Sequence, residues 1–85
     1  MTSAEQLEKD RAMHKTAARV WFNLMEATWP PRLNDGDYWE DVSLKMAAAT
    51  YQHQDNILLK KLVLMLYDYM VETAKERDEN AEGNV

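Results

Sequence analysis

Cysteine is absent from this chain of 85 residues, and glycine, proline and histidine occur only twice each. Without cysteine there is neither a disulfide nor a thiolate zinc site. Two histidines are too few for a self-contained histidine metal centre. So little glycine and proline, beside 46% hydrophobic residues, speaks for a compact helical domain rather than disorder or a β-sandwich. A long uninterrupted apolar run is also missing. A membrane span needs around 20 apolar residues, and the most apolar stretch, 57–71, is shorter and holds Lys60, Lys61 and Asp68. The first ten residues are polar and lack the apolar run of a secretory leader. The expectation is a cytoplasmic chain with no membrane partner.

Positive charge is scarce as well: ten basic side chains face fifteen acidic ones, for a formal charge of -5. That keeps a protein soluble and argues against nucleic acid as a partner, because affinity for it comes mainly from neutralising phosphates. An acidic decoy that imitates nucleic acid is an alternative. No glycine-rich phosphate loop, serine nucleophile motif or zinc spacing is present, so no cofactor is expected. Small domains that have neither disulfides nor a structural metal gain stability by oligomerising.

What is present reads as three helices in one domain, residues 1–77, followed by a disordered polar tail, 78–85. The first helix is expected over 3–29. Thr2 with Glu5, or Ser3 with Gln6, has the spacing of a capping box, and Glu5 and Lys9 form a favourable four-residue ion pair. At about 100° per residue, Met13, Ala17, Val20, Trp21 and Leu24 share one face. Ala18, Phe22, Met25 and Trp29 widen that face to roughly half the circumference, more than one neighbour requires. Pro30 and Pro31 end the helix and leave Trp29 as its last residue or just outside. Asn34, Asp35 and Gly36 are turn formers, and Asp37 with Glu40 has the spacing to cap the second helix.

The second helix, 38–52, carries a narrower stripe of Trp39, Val42, Met46, Ala49, Thr50 and His53. Neither glycine nor proline marks its end. Asp55 or Asn56 is placed to cap a third helix over 56–77, although one continuous rod from Tyr38 to Arg77 satisfies the pattern too. The third helix is apolar nearly all round. Lys61, Asp68, Glu72 and Lys75 make one narrow polar strip, with apolar residues on every other side. Such a helix belongs inside a larger core, and two partners from the same chain hardly suffice. The fold expected is therefore an all-α three-helix chain that forms a homodimer through its last helix. Its seam is expected at Leu58, Leu62, Met65, Leu66 and Tyr69, packed at a shallow crossing angle.

Candidate chemistry is sparse. Asp10 and His14 have the spacing of a carboxylate-oriented histidine, but no nucleophile or pocket is marked beside them. His53, near the expected helix break, reads as a packed residue. The acidic group Asp35, Asp37, Glu40 and Asp41 lacks the alternating oxygen ligands of an EF-hand loop and fits ordinary first-turn chemistry. All-helical metal-dependent nucleotide phosphohydrolases hold magnesium with carboxylates three apart on facing helices. Glu5 with Glu8 and Asp37 with Glu40 have that spacing, which makes this enzyme class an alternative. A helix-turn-helix reader is disfavoured, because its last helix should be polar. Arg11, Lys15 and Arg19 form a basic stripe. Trp21, Phe22, Trp29, Tyr38 and Trp39 bracket the proline loop. Trp21 and Trp39 sit mid-stripe as core, whereas Phe22, Trp29 and Leu33 are the best candidates for a patch facing another protein. The function expected is non-enzymatic: assembly, adaptor or regulatory work by protein–protein interaction.

Overall fold

Ser3 begins the first helix by accepting a hydrogen bond from the Gln6 amide at 3.1 Å. The computed structural model describes the backbone of residues 3–83 and the side chains of residues 3–77, so Thr2 lies outside the described residues. Only half of the expected capping box forms, because the Gln6 side chain donates forward to Asp10 at 3.0 Å. Three helices follow, α1 (Ala4–Thr28), α2 (Gly36–Gln52) and α3 (Ile57–Gly83), with no strand among the described residues. The chain is an all-α three-helix bundle.

Each boundary has a local cause. Trp29 takes extended angles, φ -78 and ψ 142, as a residue before proline should. Thr28 closes α1 by donating its hydroxyl to the Leu24 carbonyl at 2.7 Å. In the loop, Asn34 adopts φ 65, the left-handed conformation that asparagine tolerates well. That turn puts Asp35 at the start of α2, where its side chain accepts from the Tyr38 amide at 3.0 Å. The cap is therefore Asp35 and not Asp37, which lies within the first turn. Arg32 stands 4.0 Å from the Asp35 carboxylate and supports it there.

The break between α2 and α3 is real, and the single rod is excluded. His53 leaves the helix at φ -126 and ψ 50, and Asn56 caps α3 by accepting from the Leu59 amide at 3.0 Å. Asn56 is also buried, and its amide nitrogen donates to the Met13 carbonyl on α1 at 3.1 Å. One side chain thus starts a helix and ties it to its neighbour. At the other end α3 continues past the expected limit at Arg77 to Gly83. The stretch from Asp78 contains no proline and several good helix formers, so the helix propagates at little cost per residue. A disordered tail from residue 78 is corrected to that extent; residues 84 and 85 lie outside the described residues.

Because α2 reverses the chain, α1 and α3 run side by side in the same direction. Met13 meets Asn56, Thr28 meets Met70, and Trp29 meets Tyr69. These two helices supply most of the packing, and α2 closes against both. Their stagger makes the molecule 59 Å long, since helices of this size reach only about 40 Å each. The first turns of α1 project beyond the bundle, with Leu7 half exposed upon them. The core is formed by Ala17 and Leu24 of α1, Val42, Met46 and Ala49 of α2, and Leu59, Val63, Leu66 and Met70 of α3. The buried part of α1 is narrower than its apolar arc, since Ala18 and Phe22 face outward. Trp21 and Trp39 pack against the core, each partly buried. The Trp21 indole nitrogen is shielded from solvent and has no hydrogen-bond partner among the described residues.

Candidate functional site

The site with the most exposed apolar surface is α3 itself. Leu59, Val63, Leu66, Met70 and Ala74 recur at three- and four-residue spacing and point into the core. That leaves the opposite side of the helix uncovered. Ile57, Leu64 and Met65 remain 64%, 68% and 64% exposed after α1 and α2 have packed. Lys61, Asp68, Glu72 and Lys75 are exposed among them. Tyr67 extends the surface toward α2, where it lines a groove with Ala47, Tyr51, Lys60, Val63 and Leu64. Tyr69 extends it toward α1.

The five residues expected at a seam between copies separate in the structure. Leu66 is only 1% exposed and belongs to this chain's own core, which corrects its assignment to an intermolecular seam. Leu58 and Leu62 are half-buried against that same core. Met65 and Tyr69 stay exposed. The division follows distance from the polar strip: Leu66 lies almost opposite Lys61 and Asp68, whereas Met65 stands beside them. Ile57 and Leu64 stand beside the polar strip and stay exposed with it.

The aromatic corner is built from both ends of the proline loop together with α3. Trp29 stacks on Tyr69 with ring centroids 5.4 Å apart and planes 16° apart, and the Arg77 guanidinium lies 5.3 Å from the Trp29 ring. Trp39 meets Tyr38 and Tyr67 edge to face, at 5.0 and 5.8 Å. Trp29 is therefore largely occupied within its own chain, and Leu33 is half-buried. Phe22 alone of the three patch candidates is substantially open, at 49%. Met25, Glu26, Trp29 and Tyr69 line a shallow groove between α1 and α3.

Tyr38 locks this corner by donating its hydroxyl to the Thr28 carbonyl, joining the start of α2 to the end of α1. Burial raises its pKa above the ordinary 10.0; Arg32 opposes that shift and Asp41 adds to it. The folded state therefore holds the phenolic proton more tightly than the unfolded chain does, so the associated stability is complete below pH about 10 and falls as pH rises beyond it. Tyr38→Phe is expected to cost about 1 kcal/mol at neutral pH for the lost hydrogen bond. It should also flatten the decline in stability above pH about 10, as followed by urea unfolding at each pH. An equally steep decline in both proteins would show that Tyr38 is not the group responsible.

The remaining candidates are spread out. Arg11, Lys15 and Arg19 lie exposed along α1 and make no salt bridge among the described residues. His14 is exposed and His53 half-buried. Glu5 and Glu8 sit on the projecting turns of α1, whereas Asp37 and Glu40 open α2 beside Thr28. Along α1 that separation is about 30 Å, so the two pairs do not face one another as a shared magnesium site requires. No group of three or more His, Cys, Asp or Glu is placed to hold a metal ion among the described residues. The acidic group at the start of α2 is partly neutralised, with Asp35 near Arg32 at 4.0 Å and Asp41 paired to Lys45 at 2.7 Å. No helix is long and apolar enough to cross a membrane among the described residues.

Fold and site together define a small helical bundle whose last helix keeps large apolar side chains exposed on both sides of a charged strip. No protein-family model, curated protein or solved structure matches the chain.

Proposed function

We propose that this protein is a non-catalytic assembly or adaptor module that acts by protein–protein association, first of all with a second copy of itself. The observation that carries this reading is the outer face of α3, where Ile57, Leu64 and Met65 stay about two-thirds exposed on one side of one helix. Large apolar side chains left exposed together on one helix are candidates for an interaction site. A short chain without disulfides also gains more from a shared interface than a large one does. The surface at Phe22, bordered by the Met25–Tyr69 groove, and the basic stripe Arg11, Lys15 and Arg19 are left for a further protein partner.

The test is solution mass by light scattering over a dilution series. The wild-type chain is expected to be a dimer that dissociates only on strong dilution. Leu64→Glu combined with Met65→Glu should be monomeric with unchanged helical circular dichroism, since both side chains are exposed and only an interface would desolvate the new carboxylates. A wild-type chain that is monomeric at every concentration would overturn the self-association.

A further inference from the structure

We infer that two copies of this chain pair antiparallel along α3, about a twofold axis between Leu64 and Met65, held in register by reciprocal ion pairs between Lys61 and Asp68. The inference rests on the self-association proposed above and adds its geometry. Lys61 and Asp68 are both exposed and stand two turns apart on α3. At 100° per residue they lie about 20° apart, on the middle line of the outer face, with Leu64 and Met65 about 50° to either side of it. Leu64 and Met65 fall between them along the helix. In an antiparallel pair related by a twofold axis, residues on the same edge meet one another. An axis midway between Leu64 and Met65 therefore sets Lys61 against the second copy's Asp68, and Asp68 against the second copy's Lys61. Leu64 flanks the ion pairs on one side against the second copy's Leu64, Met65 flanks them on the other against the second copy's Met65, and Ile57 comes beside the second copy's Val71 and Glu72. Glu72 follows Asp68 one turn later on the same face, which puts a further carboxylate within reach of each Lys61.

The same charges exclude the parallel arrangement. A closed parallel dimer must be in register, because a stagger leaves the symmetry open. In register it sets Lys61 against Lys61, with Lys60 of both copies in that layer, and Asp68 against Asp68. Like charges so placed are destabilising, and the exposed apolar residues offer no compensation that the antiparallel form lacks.

Because the chain has no cysteine, single introduced thiols report the register directly. Leu64→Cys puts its two thiols beside the axis, so mild oxidation should convert most of the protein to a covalent dimer. Ile57→Cys, equally exposed, puts them about 22 Å apart along the helix and should stay uncrosslinked. A parallel dimer would crosslink at both positions, and that result overturns the inference. Charge reversal gives an independent reading. Lys61→Asp and Asp68→Lys should each weaken self-association about tenfold or more, since two attractive pairs become repulsive. An equimolar mixture of the two variants should form a heterodimer as tight as the wild-type homodimer, because every pair is then complementary. If wild type dimerises while both reversals match it, the register is wrong and the self-association stands. If wild type is monomeric by light scattering, both fail together.

Discussion

Leu66→Ala should lower the unfolding free energy by about 2–5 kcal/mol, the range for removing a fully buried leucine and leaving a cavity. Leu66 is 1% exposed and packs in a core only three helices deep, with Leu59, Val63 and Met70 of its own helix around it. A domain this small has a total stability on the order of 4–13 kcal/mol, so the variant should lose a large fraction of it. Urea unfolding, performed at a concentration low enough for the chain to be monomeric, measures the loss without a contribution from association. Leu64→Ala is the control. Leu64 sits two residues away but is 68% exposed, so its truncation should change monomer stability by less than about 0.5 kcal/mol while weakening self-association. Equal losses in the two variants would contradict the orientation of α3 described above.

The second large effect is expected at Asn56. Its side chain accepts from the Leu59 amide and donates to the Met13 carbonyl, in a position that is 7% exposed. Asn56→Ala removes a helix cap, at about 1 kcal/mol, and the hydrogen bond to the Met13 carbonyl on α1, at about 0.5–1.5 kcal/mol more. A total of about 1.5–2.5 kcal/mol follows. Asn56→Asp separates the two roles, because aspartate caps a helix as well as asparagine does but has no hydrogen to offer Met13. It should keep the start of α3 protected in hydrogen exchange while still losing the link to α1. A wild-type urea midpoint for Asn56→Ala would show that the link between α1 and α3 contributes nothing.

Both predictions turn on where helix ends and helix faces lie, and these were not equally readable from the residues. Pro30 ends α1 because a residue before proline leaves the helical region, whatever the tertiary context. Ser3 and Asn56 lie at caps for an equally local reason, since their side chains reach an amide three residues on. The position of Asp35 was less legible. Asp35 and Asp37 both suit a cap, and only the left-handed turn at Asn34 brings the first of them to the helix start.

The sequence by itself determined the class of this protein: three helices, their approximate limits, the core stripe of α2 and the polar strip of α3. These follow from periodicity, capping and proline stereochemistry, all of which act within a few residues. The polar strip already points to the side of α3 opposite it as the covered one, and only the tertiary structure decided how far round the helix that cover extends. An apolar residue at the margin reads the same buried or exposed, and its burial is assigned by where α1 and α2 happen to pack. Once they have packed, Leu66 is core and Leu64 is surface, although the two are chemically identical. The same packing stacks Trp29 on Tyr69 and leaves Phe22 open. Such contacts join residues distant in the chain, and no local pattern records them.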